Sequence, residues 1–180
     1  MDFKLVVEKL ITAFKDDGIR YALMGGFALG LWGVPRATVD VDFLVNKDDM
    51  GKVDEIMTGL GYNLVYQSEN VSQYVSPDTV FGEVDFLHAF REISIGMLQR
   101  TETKRLFDGT ASINVLKIED LIGLKLQAIA NDESRKAVDL SDIKSLIALH
   151  KSAINWSVLE EYFKLFGLAA LFKELRGFVP

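Results

Sequence analysis

The stretch Asp40-Val41-Asp42-Phe43 constrains this chain more than any other. Strict acidic–apolar alternation is the pattern of a β-strand with two unlike faces, and residues i and i+2 of a strand point the same way. Both carboxylates therefore project together, while Val41 and Phe43 turn the other way and can anchor the strand in a core. Two like charges so close repel each other, so the arrangement is costly without a cation between them. Divalent ions about 3.5–4 Å apart, bridged by such carboxylates, form the clamp of phosphoryl and nucleotidyl transfer. The same four residues also fit a solvent-exposed acidic face on an edge strand, and the surrounding sequence has to decide.

Composition narrows the metal. The chain has no cysteine and two histidines, His88 and His150. Zinc–thiolate sites, disulfides and thiol nucleophiles are excluded, and any bound ion should be a hard cation held by carboxylates. A formal charge of −6 argues against an unaided grip on nucleic acid, which needs many phosphate-neutralising Lys and Arg. The N-terminus carries Asp2, Lys4, Glu8 and Lys9 and does not look like a signal peptide. The longest uncharged run, Tyr21–Pro35, is shorter than the roughly 20 residues of a membrane helix and contains four glycines. The expectation is a cytoplasmic protein with no membrane partner.

The hydrophobic pattern divides the chain into an α+β half and a helical half. Phe3, Val6, Val7, Leu10, Ile11 and Phe14 form one stripe of a helix that Asp17-Gly18 ends. A strand-like run, Ile19–Met24, leads into Gly25-Gly26, and Phe27–Trp32 reads as a short helix stopped by Gly33-Val34-Pro35. Thr38–Val45 is the acidic strand, and Asn46 is placed to cap a helix burying Met50, Val53, Ile56, Met57 and Leu60. Tyr62–Gln67, Val71–Val75 and Thr79–Leu87 read as strands, with Pro77-Asp78 as a turn. Between Ile93 and Val115 only Ala111–Val115 reads clearly, as a further strand. Ile118–Ala130, Ser134–His150 and Asn155–Phe166 are helical periods, with Leu168–Arg176 a fourth. The expected division is an α/β core at 1–116 and a helical portion at 117–180 that packs on the core and completes a nucleotide cleft.

Context favours the metal reading of the acidic strand. Upstream, Gly25-Gly26 closes a buried strand and opens a helix, where glycine lets backbone N–H groups approach a phosphate. Downstream, Glu83-Val84-Asp85-Phe86 repeats the acidic–apolar alternation on a second strand, so that Asp85 can supply a third carboxylate. Met24-Gly25-Gly26, a thirteen-residue spacer, Asp40-Val41-Asp42-Phe43 and then Val84-Asp85-Phe86 resemble, element by element, the signature of the polymerase-β-like nucleotidyltransferases. The spacer is long for that superfamily, and Gly26 replaces its more frequent serine. Gly25-Gly26-Phe27-Ala28-Leu29, Arg36-Ala37-Thr38-Val39-Asp40, Lys125, and Arg135 through Asp142 resemble more narrowly a small bacterial branch that includes AbiEii-like toxins. The resemblance covers residues 20–150.

What the resemblance implies is concrete. The fold should be an α+β nucleotidyltransferase with a palm-like mixed sheet, flanking helices and a C-terminal helical portion. The activity should be magnesium-dependent transfer of a nucleoside monophosphate from a nucleoside triphosphate to an acceptor hydroxyl, with manganese an alternative metal. Asp40, Asp42 and Asp85 become the catalytic metal ligands, and Gly25, Gly26, Arg36, Thr38, Lys125, Arg135 and Asp139 the nucleotide-binding set. RNA ends, proteins and small molecules all qualify as acceptor, and an antitoxin-like protein is a candidate partner. A non-catalytic nucleotide-binding module and a metal-dependent phosphatase or nuclease are the competing classes.

Several of these residues also have plain structural readings. Lys125 is the one charged residue between Asp120 and Asp132 in a very apolar helix, so its ammonium needs either an acid or a phosphate as partner. Arg135 and Lys136, four and three residues before Asp139, fit a surface ion-pair ladder as well as a phosphate site. Asp142 is expected to be structural or solvent-facing. Glu83 shares a strand face with Asp85, His88 falls on the opposite face and reads as structural, and Trp156, Leu159, Phe163 and Phe166 form a packing stripe.

Overall fold

Every hydrophobic period named above becomes an element in the computed structural model, which describes residues 1–177. Helix α1 (Phe3–Asp16) starts at Asp2, whose carboxylate accepts the Leu5 N–H at 3.0 Å. It buries Val6, Val7, Leu10 and Phe14, whereas Phe3 and Ile11 at the stripe's edge stay half-buried. The chain continues through β1 (Tyr21–Met24), α2 (Gly25–Leu31), β2 (Asp40–Asn46) and α3 (Met50–Gly59). Asn46 caps a single 3₁₀ turn ahead of α3, accepting the Asp48 N–H at 2.9 Å. Only Val53 and Met57 of the expected α3 stripe are fully buried.

Strands β3 (Asn63–Gln67), β4 (Val71–Val75) and β5 (Glu83–Ala89) follow, then α4 (Glu92–Gln99), β6 (Glu102–Leu106) and β7 (Ala111–Val115). Together they make a seven-stranded mixed sheet in the order β3-β4-β5-β2-β1-β7-β6. The β2–β5 and β1–β7 pairs are parallel and the other four are antiparallel. Strand β5 begins at Glu83 rather than Thr79, because residues 77–82 form a turn closed by hydrogen bonds from Phe81 and Gly82 N–H to the Asp78 carbonyl.

The two faces of β2 and β5 differ as their alternation requires. Val41, Phe43, Val84 and Phe86 are fully buried on one face. There Phe43 stacks on Phe86 at 5.8 Å, Phe14 meets Phe43 edge-on at 5.4 Å, and Tyr74 closes on Phe86 at 5.6 Å. Burying each such ring stabilises the fold by about 1.5–3 kcal/mol, so this cluster anchors the strands that carry the acids. Asp40, Asp42, Glu83 and Asp85 line the other face, half-buried. His88 is buried, with Nδ1 2.9 Å from the Glu69 carbonyl and Nε2 2.9 Å from Ser72 Oγ. A carbonyl only accepts, so Nδ1 carries the proton and Nε2 accepts from the Ser72 hydroxyl.

The described chain divides into two compact units. The first holds Met1–Leu31 and Arg36–Leu116; the second holds Trp32–Pro35 and the residues from Lys117 onward. In the second unit lie α5 (Ile118–Asn131), α6 (Lys136–His150), α7 (Trp156–Leu165) and α8 (Ala169–Gly177). Helices α5 and α7 approach closely because Gly123 has no side chain: a Cβ there would lie 2.9 Å from the Tyr162 ring. The Tyr162 hydroxyl donates to buried Asp120 at 2.7 Å across the same contact. Trp32 joins this unit through its carbonyl, 2.7 Å from His150 Nε2. Among the described residues no helix is long and apolar enough to cross a membrane.

Candidate functional site

Strand register assembles the acidic site. In the parallel β2–β5 pair Asp42 stands beside Asp85 and Asp40 beside Glu83. On the outer sides Met24 of β1 pairs with Asp42, and Gln73 of β4 pairs with Asp85. Gln73, Asp85, Asp42 and Met24 thus form one row across four strands. Asp40, Asp42 and Asp85 each bring one carboxylate oxygen into a group whose members lie within 4.8 Å of one another.

The glycine turn is fitted to these acids. Gly25 has φ +66°, which favours glycine, and a Cβ on it would fall 1.8 Å from Asp42 Oδ2. A Cβ on Gly26 would lie 2.8 Å from the Thr38 side chain and 3.6 Å from Arg36 Cγ. The Gly-Gly pair therefore lets the start of α2 sit directly against Asp42, Thr38 and Arg36. Thr38 precedes β2, and its hydroxyl donates to Asp40 Oδ1 and lies 3.3 Å from the Asp40 carbonyl. The hydroxyl that the sequence offered to phosphates is thus bonded to a metal-ligand candidate.

The electrostatics fit a cation. Burial pushes the Asp85 carboxyl above its usual value, the Gln73 amide hydrogen bond pulls it back, and the charge of Asp40 raises it again. Glu83 is raised for the same main reason, burial, with Asp85 and Asp40 adding to it. Among the described residues, Asp85 Oδ1 is the fully shielded side-chain atom with no hydrogen-bond partner. A carboxylate oxygen withdrawn from water and left bare costs free energy unless something positive meets it. Three aspartates and no cysteine or histidine make an all-oxygen donor set, which suits a hard divalent ion such as magnesium or manganese.

The remaining sequence-chosen residues lie in the helical unit and form their own cluster. Lys125 Nζ donates to Asp139 Oδ1 at 2.9 Å and to Asp142 Oδ2 at 2.7 Å. Arg135 Nε donates to the other Asp139 oxygen at 2.9 Å. Lys125 and both acids are nearly buried, whereas the Arg135 side chain is 57% exposed. The partner that the sequence left open for Lys125 is thus a pair of acids, and Asp142 is buried within it. Burial pushes the Asp139 carboxyl up, but the hydrogen bonds from Lys125 and Arg135 outweigh that and hold it below the usual carboxylate range.

Gln73 is the neighbour of the acidic site that sequence reasoning did not single out. Its signal is weak but present. It is the one polar residue between Val71 and Val75 on the half-exposed face of β4, opposite the buried face of Ser72 and Tyr74.

Comparison with known proteins gives the family and the fold. Residues 4–178 match the model of a protein family described as uncharacterised nucleotidyltransferase. A search of curated protein sequences finds no match. Among solved structures, the antibiotic-resistance factor ANT(2″)-Ia is similar with a TM-score of 0.64 at 14% identity, covering 98% of this chain and 95% of that one. An antigenic nucleotidyltransferase-like protein from Paracoccidioides brasiliensis has a TM-score of 0.57 at 20% identity, covering 96% and 92%. The lincomycin-bound lincosamide adenylyltransferase LnuA has 0.54 at 15%, covering 79% and 95%. At such identities the structural likeness establishes the fold, the α+β nucleotidyltransferase architecture expected from the sequence. Matched by that family model over nearly its whole length, the chain belongs to the uncharacterised nucleotidyltransferase family and is a nucleotidyltransferase enzyme.

Proposed function

We propose that this enzyme transfers a nucleoside monophosphate from a nucleoside triphosphate to an acceptor hydroxyl and releases pyrophosphate, with Asp40, Asp42 and Asp85 holding magnesium. The observation that carries the reading is the convergence of three aspartates from two parallel strands, one of them with a buried and bare oxygen. Bound divalent ions would supply charge neutralisation at the phosphates and at the attacking and leaving oxygens. The protein's own part is positional. Asp40 and Asp42 would hold the cation from β2, and Thr38 steadies Asp40 through its hydroxyl. Gly25 and Gly26 keep side chains out of the space before Asp42, where the triphosphate would lie. Asp85, beside the attacking oxygen, would take the acceptor's proton as that oxygen bonds to the α-phosphorus and the bond to the β-phosphate bridge breaks, with pyrophosphate leaving.

Arg36, Lys125, Arg135 and Asp139 complete the proposed nucleotide-binding set. A lysine ammonium has three donors, and Asp139 and Asp142 use two of those on Lys125. For the acceptor, a small-molecule hydroxyl has two supports. The net charge of −6 opposes an unaided grip on RNA, and two similar structures belong to proteins described as an antibiotic-resistance factor and an antibiotic adenylyltransferase. RNA ends and protein hydroxyls are the other acceptors to test. The narrower kinship with AbiEii-like toxins, and with it an antitoxin-like partner in the cytoplasm, belongs to the same proposal. Growth arrest on expression of wild type, but not of Asp40→Ala/Asp42→Ala, is its test.

The central test is titration of ATP, CTP, GTP and UTP, with and without magnesium, into wild type and Asp40→Ala/Asp42→Ala. Magnesium-dependent binding lost in the double variant supports the site. Labelled nucleotide then separates the classes: label on an acceptor means transfer, and free monophosphate means hydrolysis. Tight binding of unchanged nucleotide with every acceptor class means a binding module and ends the catalytic reading.

A further inference from the structure

Asp85 does not stand alone on its side of the acidic site. Gln73, opposite it in the antiparallel β4–β5 pair, donates from Nε2 to Asp85 Oδ2 at 3.0 Å. The other oxygen of that carboxylate, Oδ1, is the shielded and partnerless one. One oxygen thus accepts from an amide, and the other has no hydrogen-bond partner. Rotation of a carboxylate about its last torsion is broad and soft, so a single directional hydrogen bond decides which oxygen is committed to the protein and which is available.

Gln73 is itself firmly mounted. Its two chain neighbours on the opposite face of β4 are each hydrogen-bonded. Ser72 pairs with His88 Nε2 at 2.9 Å, and the Tyr74 hydroxyl donates to Asp54 at 3.0 Å. The residue type also fits. Lysine or arginine at position 73 would neutralise Asp85 and compete with a cation for it. A neutral amide orients the carboxylate and leaves its full negative charge in place.

We infer that Gln73 is a positioning residue that acts through Asp85, committing Oδ2 to the protein so that Oδ1 stays available to a divalent cation. The inference rests on the metal-site reading above. Hydrogen-bonded partners of metal ligands typically carry an about 10- to 100-fold effect on affinity. Removing the Gln73 donor should fall at the low end of that range, because two other carboxylates remain.

The test is manganese alone, without nucleotide, titrated into the full chain and followed by the electron paramagnetic resonance signal of free Mn²⁺. Wild type, Gln73→Leu, Asp85→Ala and Gln73→Leu/Asp85→Ala are compared, with thermal melts of each. Gln73→Leu is expected to melt like wild type and to bind Mn²⁺ about tenfold more weakly. In the Asp85→Ala background the same change should have no further effect, since the residue it acts through is gone. Gln73→Met, unbranched and of similar length, takes its place if the leucine variant does not fold. Unchanged Mn²⁺ affinity in a folded Gln73 variant, or an equal loss in both backgrounds, overturns the inference and leaves the metal site standing. Folded wild type that binds no Mn²⁺ overturns the metal site itself, and the inference with it.

Discussion

Gly25 and Asp42 share one space: a methyl group on Gly25 would come within 1.8 Å of Asp42 Oδ2. The glycine that opens α2 and the third residue of β2 are therefore a matched pair, and no side chain can be added at Gly25 unless Asp42 moves.

Gly18 supplies the control for that pair. It has φ +65°, almost the value at Gly25, but a Cβ there would meet nothing within 4 Å. Gly18→Ala and Gly25→Ala should each cost about 1–2 kcal/mol for the left-handed backbone alone. Only Gly25→Ala should also abolish magnesium-dependent nucleotide binding. Urea denaturation beside calorimetric titration checks this, and equal binding by both variants would show that the acid's position is not set by the turn.

The clustering of Asp40, Asp42 and Asp85 implies a trade of stability for function. In the presence of a chelator, Asp85→Asn should raise the melting temperature by roughly 2–4 °C, the shift that about 1 kcal/mol gives a chain of this size. Saturating magnesium should reverse the order, since wild type gains a ligand that the variant binds poorly. Melting curves with and without magnesium decide the matter, and a variant less stable in chelator would argue that the carboxylates do not strain one another.

Lys125 offers a sharper stability test. Removing one partner of a buried charge cluster typically costs about 3–5 kcal/mol. Lys125→Met, which takes the ammonium from Asp139 and Asp142 while Asp139 keeps its bond from Arg135, should fall near the lower figure. Arg135→Ala removes an ion pair whose basic side chain is 57% exposed and should cost under about 1 kcal/mol. Nucleotide titration of folded Lys125→Met adds the functional half: weaker binding supports a role at the phosphates, and wild-type binding confines Lys125 to its two acids.

Asp139 predicts a pH dependence. Burial opposes its ionisation, but the bonds from Lys125 and Arg135 prevail and hold its folded-state pKa below the unfolded one. Its stabilisation is therefore fully present above the unfolded value, about 4, and is lost as pH falls through the lower folded value. The stability difference between wild type and Asp139→Asn should stay level from neutral pH down to about 5 and shrink below that. A gap that widened in acid would contradict the sign.

The parts of the fold and site legible in the sequence are those that local alternation or helical period can specify. Asp40, Asp42 and Asp85 stood out because the acidic–apolar alternation follows Gly25-Gly26 and recurs on a second strand, and the structure brings the three together. Strands β4 and β7 have the bounds read from their residues. Helix α4 did not stand out, because of its apolar residues only Met97 is fully buried and Ile93 is 45% exposed, which erases the stripe. The limits of β5 and the pairing of Gln73 with Asp85 depend on the turn at residues 77–82 and on antiparallel register, which no local pattern encodes. Lys125 shows the same limit from another side. Its isolation in an apolar helix announced a buried partner, but Asp142 lies seventeen positions further on, and only helix packing reveals it.

Strands β2 and β5 run parallel, so residues 47–82 have to cross over before Asp85 can reach Asp42. A growing polypeptide that has emerged only as far as Gln67 already carries Asp40 and Asp42 but has no β5 to set beside them. The three acids therefore come together only in the correct strand order. Magnesium at the proposed site would then favour the native strand order over a misregistered one, by about 2.7 kcal/mol at a hundredfold excess over its dissociation constant.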